Sequence, residues 1–369
     1  MKVAITGADG FLGWHLRVRL HAVLPTADVV GITRNVWSDP RLLRESLAGA
    51  DVVVHLAGIN RDTPDAVERG NANLAQRLVD ALDEVGIAPA IIYSNSVHAG
   101  ADSPYGRGKR QAEEILGEWA DNRGSAFVDV VFQNLFGEGG RPDYNSFVAT
   151  FCHRLATGAT PMIDVDRPVE LIHAQDAAEL IVSRLSGPMK SEVVSTSGHT
   201  ASVGEVLATL EELSATYATG RLPALDDRFA VQLFNTYRSY LYPDWFPRPL
   251  DVKTDPRGSF VEVVQSVGGA GQTSFSTTVP GVTRGNHFHL RKIERFSVLR
   301  GSATIAIRPV MGSVTSMFEV SGAEPSFVDM PTLHTHNIIN TGADELLTMF
   351  WINELFDPQD ADTYPEPVT

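Results

Sequence analysis

The chain has 369 residues, 43% hydrophobic and 20% charged, a balance that excludes intrinsic disorder and a length that implies two domains. A formal net charge of −15 excludes a broad nucleic-acid surface, though not an anionic small ligand, which needs only a helix N-terminus and a few local arginines. The single cysteine, Cys152, excludes an intrachain disulfide and reads as a small buried apolar residue; no apolar run reaches the roughly 18–20 residues that cross a bilayer, and the chain opens directly on a strand. The expectation is a cytoplasmic protein with no membrane or nucleic-acid partner.

Along the first half, short apolar runs at Val3–Ile5, Val29–Ile32, Val52–His55, Ile91–Tyr93 and Val128–Phe132 read as buried strands. Helical patterns at Ala72–Val85 and Gly108–Ala120 lie between them, and others follow at Asn145–Ala156, Ala174–Leu185 and Val203–Leu213, the last with Ser202 as N-cap. This alternation predicts a doubly wound parallel sheet of the Rossmann type, with a small substrate-binding part. The style changes at Pro243–Pro249, which places a boundary between residues 1–245 and 246–369. Beyond it, short runs such as Phe260–Val264, Phe296–Leu299, Ala303–Arg308 and Leu346–Trp351 predict an all-β double-sheet barrel.

Gly7, Gly10 and Gly13 fall between the first strand and first helix, with Phe11 and Leu12 opening that helix. Glycines there permit a tight turn, close approach of backbone to a pyrophosphate, and helix-to-sheet packing. At the end of the second strand stands Thr33-Arg34-Asn35, without the carboxylate that would hold a ribose diol. A guanidinium can grip a 2′-phosphate, so Arg34 points to NADPH; an exposed arginine without a ligand is the other reading.

Tyr105 and Lys109 are four residues apart, so a helix places them on one face, where an ammonium would lower the phenol pKa and make a proton donor of it. Ser94-Asn95-Ser96 closes the strand before them and offers a hydroxyl for a substrate oxygen. Together with Asp51–Gly58, Asn71-Ala-Asn73 and Asn134-Leu-Phe-Gly137, these motifs resemble the extended short-chain dehydrogenase/reductase family over residues 1–245. The resemblance implies Ser96 as catalytic serine, with Ser94 its rival, Tyr105 as general acid, and Lys109 as its partner and a contact of the nicotinamide ribose. It implies that His55, Ala57 and Gly58 line the cofactor cleft, and that Asn134, Arg141 and Asn145 lie where that family contacts a nucleotide sugar.

In the second half, His287 and His289 are two apart and face one way on a strand; Glu294 follows a bend, and His336 begins a later strand. Three imidazoles and a carboxylate inside a small barrel make a divalent metal site. The spacing resembles the two cupin motifs, which implies those residues as ligands, of zinc in the first place, with iron or manganese also suited. His334 would share the face of His336 and replace or assist it. Lys292 is an acid/base candidate or a surface lysine.

The order of the two halves resembles a family of bifunctional capsular-polysaccharide enzymes and their counterparts in lipopolysaccharide assembly. Matching stretches include Pro104–Lys109, Pro142–Cys152, Gly285–His289, His336–Asn340, Trp351–Pro358 and Asp362–Tyr364; Arg107-Gly108 and Leu333-His334 depart from the pattern. The resemblance implies a UDP-linked 4-keto-6-deoxy-2-acetamido sugar, epimerised at C3 by the cupin and reduced at C4 with NADPH to a 6-deoxy-L-talose-type precursor, by a homodimer. Two other readings stand beside it: a reductase whose barrel only binds sugar or mediates dimerisation, and a non-enzymatic NADP(H) or ligand sensor.

Overall fold

The apolar runs of the first half form, in a computed structural model, a single sheet flanked by helices; the structure describes residues 1–256 and 258–369. The elements in chain order are β1 (Lys2–Thr6), α1 (Phe11–Val23), β2 (Asp28–Ile32), α2 (Arg34–Ser38), α3 (Pro40–Leu47), β3 (Val52–His55), α4 (Pro64–Val85), β4 (Ala90–Ser96), α5 (Pro104–Arg123), β5 (Phe127–Phe132), β6 (Asn134–Phe136), α6 (Phe147–Ala156), β7 (Pro168–His173), α7 (Ala174–Arg184) and β8 (Glu192–Ser195). Six strands pair in parallel in the order β2-β1-β3-β4-β5-β8. The order reverses at β1, whose two neighbours are β2 and β3, and such a switch point opens a ligand crevice at the strands' carboxyl ends.

Strand alternation divides the core. Val3, Ile5, Val54, Ile92 and Val130 pack on the α1 and α7 side, while Ala4, Val53, Ile91 and Tyr93 pack under α3, α4 and α5. This is the doubly wound sheet that the pattern predicts. A small sheet joins β6 and β7 to β9 (His199–Ser202).

The rest of the chain continues as α8 (Val203–Ala218), α9 (Arg228–Ser239), β10 (Arg248–Pro249), β11 (Val252–Asp255), β12 (Gly258–Val261), β13 (Gln272–Thr278), β14 (Thr283–Phe288), β15 (Glu294–Arg300), β16 (Ser302–Pro309), β17 (Ser316–Ser321), β18 (Ser326–Met330), β19 (His334–Asn340), β20 (Leu346–Ile352) and β21 (Tyr364–Pro365). Two antiparallel five-stranded sheets, β10-β18-β15-β20-β13 and β17-β16-β19-β14-β21, enclose a core that includes Val298, Ile305, Phe327 and Ile338. This is the double-sheet barrel of the cupins. Phe260–Val264, expected as a barrel strand, is strand only to Val261; it pairs with β11 in a separate hairpin, with Phe260 exposed.

Compactness groups residues 1–136 with 168–201, and 137–167 with 202–369, which is not a single cut at 245. The reason is that α8 and α9 are fastened to the barrel. Ser202 caps α8 in a capping box with Glu205, as its sequence suggests, and the far end of α8 carries Tyr217, whose hydroxyl donates to Asp329. Asp329 also receives Arg295 Nε at 2.7 Å and Nη2 at 2.9 Å, and Arg295 Nη1 donates to the Gly220 carbonyl at 2.8 Å. From α9, Arg238 donates to the Met330 carbonyl at 2.8 Å and Asn235 to the Arg291 carbonyl at 2.9 Å. Among the described residues, no helix is long and apolar enough to cross a membrane.

Arg295 and Asp329 are 1% and 0% exposed, so Asp329→Ala would leave a guanidinium buried without its counter-charge. Denaturant unfolding followed by tryptophan fluorescence should show a loss of about 3–5 kcal/mol.

Candidate functional site

The turn after β1 is built by contacts that only glycine permits. Gly7 has φ of +67°, and a Cβ on Gly13 would lie 2.2 Å from the Gly7 carbonyl oxygen, so α1 sits directly on the turn. Gly10 caps α1 without a side-chain hydrogen bond, and no acid occupies the first turn, so Phe11, Leu12 and Gly13 present a bare helix N-terminus. Opposite, the Ala57 amide donates to Thr6 Oγ1 at 3.2 Å, and Thr6 Oγ1 lies 2.9 Å from His55 Nδ1. Asn71 fixes the loop after β3: its Oδ1 accepts the Ile59 amide at 3.1 Å, and its Nδ2 donates to the Ile59 carbonyl at 2.9 Å and the Val67 carbonyl at 2.8 Å. Gly58 lies beside Lys109, a Cβ there standing 3.9 Å from Nζ. His55 is buried beneath this cleft, and burial together with Lys109 lowers its pKa to about 3, leaving the ring neutral. Arg34 begins α2, and its exposed guanidinium enters no ion pair or hydrogen bond among the described residues. The cradle, the bare helix end and the free guanidinium fit a dinucleotide.

Tyr105 and Lys109 share the first turns of α5, which Ser103 caps through the Gly106 amide. The Ser96 side chain acts on the Tyr105 phenol, favouring its ionised form, and accepts the His98 amide at 3.2 Å, whereas Ser94 Oγ donates to the His55 carbonyl at 3.2 Å. The geometry therefore brings Ser96, rather than Ser94, to the tyrosine. Lys109 Nζ donates to the Ser94 carbonyl at 2.6 Å and lies 4.6 Å from the centre of the Tyr93 ring. The phenol does not follow the expected direction. Burial raises its pKa above the ordinary value, with Ser96 working against it, and the buried amine is directed to Ser94 and Tyr93. Burial lowers Lys109 itself to about 8. The unusual Arg107-Gly108 has a local cause: a Cβ on Gly108 would lie 2.6 Å from the Glu68 carbonyl oxygen of α4, and Arg107 pairs with Glu68 at 2.8 Å and Asp102 at 2.6 Å.

Of the expected substrate contacts, Asn134 donates to the Glu170 carbonyl at 3.0 Å and so joins β6 to β7. Arg141 and Asn145 are exposed, with the Arg141 guanidinium 5.0 Å from the centre of the Tyr144 ring.

The barrel gathers all four expected ligands. One donor atom from each of His287, His289, Glu294 and His336 lies within 4.8 Å of the others. His336 Nε2 is 3.0 Å and His287 Nε2 3.8 Å from Glu294 Oε2. His289 Nε2 is 3.1 Å from the same oxygen but off the line of a hydrogen bond, and it is buried without a partner. Its other nitrogen, Nδ1, lies 2.5 Å from the Asp362 carbonyl oxygen. A carbonyl oxygen only accepts, so Nδ1 carries a proton there and Nε2 is turned toward the cluster. Burial pushes the Glu294 carboxyl up, but the charge on His289 and the contacts with the three imidazoles outweigh it and hold it well below its usual range. Burial lowers the His336 pKa, so the anionic carboxylate and the His289 nitrogen left without a hydrogen bond fit a divalent ion.

His334 is not part of this group: its ring packs edge-on against Tyr242 at 4.9 Å and its Nδ1 meets the Thr332 carbonyl at 2.8 Å. Nor is Lys292 a surface residue; it is 3% exposed and its amine donates to the Ala361 carbonyl at 2.7 Å. Asp362 is the residue that sequence reasoning passed over. Its carboxylate accepts the amides of Leu290, Arg291 and Lys292 at 3.1, 3.0 and 2.9 Å, and so shapes the bend between His289 and Glu294. Only its place in Asp362-Thr-Tyr364 hinted at importance; its partners lie about seventy residues earlier.

A dinucleotide fold with a serine–tyrosine–lysine group, joined to a metal-type barrel, defines a class of nicotinamide-dependent enzyme. Residues 3–193 match the NAD dependent epimerase/dehydratase family, and residues 253–364 match the polysaccharide biosynthesis C-terminal domain. The chain belongs to this epimerase/dehydratase family and carries that C-terminal domain. It is 34% identical to the UDP-2-acetamido-2,6-beta-L-arabino-hexul-4-ose reductase of Pseudomonas aeruginosa, over 99% of this chain and 98% of the relative. It is similar to the structure of the capsular polysaccharide assembling protein CapF from Staphylococcus aureus, with a TM-score of 0.63 and 32% identity at full coverage of both chains. The structure of RMD from Pseudomonas aeruginosa complexed with NADPH, 18% identical with a TM-score of 0.56 over 65% of this chain and 98% of that one, shares the fold.

Gly13→Ala should weaken nicotinamide-cofactor binding by at least about tenfold, because the added methyl forces α1 off the turn that faces the pyrophosphate. Fluorescence titration with NADPH and NADH measures it, and unchanged affinity for both would contradict this assignment of the turn.

Proposed function

We propose that this chain epimerises C3 of a UDP-linked 4-keto-6-deoxy-2-acetamido sugar in its barrel and then reduces the C4 ketone with NADPH, yielding a 6-deoxy-L-talose-type amino sugar precursor of surface polysaccharide. The reading rests chiefly on one observation: a Ser96–Tyr105–Lys109 group and a His287–His289–Glu294–His336 group occur on one chain. A relative matched over nearly its whole length, named for a hexul-4-ose reductase, supports the substrate class. The unengaged Arg34 supports NADPH over NADH.

In the reduction, NADPH supplies hydride to C4, and oxygen at C4 takes up a proton. Tyr105 gives that proton. Its raised pKa keeps the phenol protonated at neutral pH, the form an acid needs. Ser96, beside Tyr105, orients the ketone oxygen, and Lys109 supplies positive charge as negative charge develops. Asn134, Arg141 and Asn145 contact the nucleotide sugar in this proposal.

In the barrel, the C3 proton is acidic because its loss gives an enolate with the C4 ketone. A divalent ion held by His287, His289, Glu294 and His336, zinc in the first place, supplies Lewis-acid stabilisation of such an oxyanion. Asp362 holds His289 and the following bend in place, and Lys292, buried beside the ligands in sequence, is the candidate proton carrier. The protein acts in the cytoplasm as a homodimer in this reading.

One observation favours a narrower reading in which the barrel has no chemistry: the full-length relative is named as a reductase alone. Product NMR in deuterated water separates the two. With Tyr105→Phe, C4 reduction should fall by about a hundredfold or more while deuterium still enters C3. No C3 deuterium in either enzyme would establish the narrower reading, and loss of both activities in the variant would argue against two independent sites.

Elemental analysis of protein purified without added metal should find about one divalent ion per chain, as one four-ligand group implies. Asp362→Ala leaves the main-chain carbonyl at His289 in place but removes the carboxylate that holds the Leu290, Arg291 and Lys292 amides, and the loosened bend between His289 and Glu294 should weaken metal retention against a chelator by about tenfold. A metal-free protein that recovers no C3 exchange on addition of zinc, iron or manganese would defeat the metal reading.

A further inference from the structure

The face of the sheet beneath α5 carries a buried carboxylate that the reductase chemistry has not used. Alternation along β4 and β5 turns Tyr93, Asn95 and Asp129 toward α5, and Asp129 pairs in register with Tyr93. Asp129 is 2% exposed, and its Oδ1 is buried without a hydrogen-bond partner. Asn95 Nδ2 donates to Asp129 Oδ2 at 3.0 Å and to Glu113 Oε2 at 2.8 Å. The same asparagine's Oδ1 accepts the Ser96 amide at 2.9 Å. Glu113 lies one helical turn after Lys109 on α5, so acid, amide and amine meet on one face.

An aspartate in the middle of a buried strand is costly unless something compensates it. The groups facing it are Lys109 and Glu113 from α5 and Tyr93 and Asn95 from β4, while its neighbour in register on β8 is the apolar Val193. Lys109 in turn faces Tyr93 and Ser94 of β4 and His55 of β3, which is neutral. Among these groups, Lys109 is the cation.

We propose that Asp129 is a positioning residue of the reductase site: its buried carboxylate is the counter-charge that keeps the Lys109 ammonium protonated, and Asn95 ties that carboxylate to the backbone of Ser96. The proposal rests on the reductase reading of Lys109. Burial alone would lower the amine further than about 8, and Asp129 opposes it. Burial raises Asp129 to about 6, the Asn95 hydrogen bond working against it, Glu113 with it, and Lys109 against it. At neutral pH the pair then stands as carboxylate and ammonium.

The chain has five lysines, so NMR titration of enzyme labelled with 13C at the lysine ε-carbon can follow Lys109, identified by the peak missing from Lys109→Arg. In Asp129→Asn, which keeps the side-chain shape, the Lys109 midpoint should fall by about one pH unit or more, since removing a nearby negative charge destabilises an ammonium. The alkaline limb of kcat/KM for ketone reduction should move down with it. An unchanged Lys109 midpoint overturns the proposal, as a merely structural aspartate would lower stability and leave the titration in place. In the unaltered enzyme the Lys109 carbon should show a second, smaller inflection near pH 6 as Asp129 takes its proton; a single inflection also overturns it. Neither titration needs the sugar, so a wrong substrate and a wrong role for Asp129 give different results.

Discussion

Charge taken out of water must be met inside the protein, at a cost of several kcal/mol per ion where it is not, and this constraint organises both halves of the chain. Lys109, Asp129, Glu294, Arg295, Asp329 and Asp362 are all buried. Arg295 is met by both oxygens of Asp329 and by the Phe327 ring, whose centre lies 3.6 Å from the guanidinium carbon. Asp362 is met by three consecutive amides, an arrangement that shapes the bend before Glu294. Glu294 is met by three imidazoles.

The arrangements differ in whether they close. Around Arg295, both carboxylate oxygens of Asp329 accept guanidinium hydrogen bonds, Tyr217 adds another, and the third guanidinium nitrogen reaches the Gly220 carbonyl. Nothing there is left to react, and its effect is to fasten α8 to the barrel. The groups around Glu294 and Asp129 each keep something open. His289 Nε2 faces Glu294 without a hydrogen bond, and Asp129 Oδ1 has no hydrogen-bond partner although a lysine is in electrostatic range. Buried groups left in this state cost stability, and a protein retains them where the open valence has a use.

What could be read from the sequence was local. The glycine turn, the tyrosine–lysine spacing and the His-x-His strand each fit within a few residues, where backbone periodicity decides which side chains share a face. Ser202 as a cap was legible for the same reason. Asp362 and Asp129 were not, because their partners are brought close only by folding: Asp362 acts on residues 289–292, and Asp129 lies under a helix face encoded earlier in the chain. The boundary at residue 245 followed a change of style in the sequence. Compactness instead follows the contacts of α8 and α9, whose amphipathic patterns do not reveal the surface they cover. Phe260 misled because a β-branched and aromatic run reads alike in a barrel strand and an exposed hairpin.

The direction of the tyrosine shift bears on the order of events in the proposed chemistry. An ammonium that lowered the Tyr105 pKa would favour tyrosinate, the form that removes a proton from an alcohol during oxidation. A buried phenol with a raised pKa is protonated before the ketone arrives, though burial also makes it a weaker acid than an unshifted phenol. Reduction also ends any exchange at C3, since the carbon-bound proton there is acidic only while C4 is a ketone. Epimerisation must therefore precede hydride transfer on each sugar, and the reductase step makes the epimer permanent. Under this reading, the order of the two steps follows from the ketone itself, which makes C3 exchangeable until hydride removes it, and Tyr105 contributes a buried phenol that is protonated before the ketone arrives.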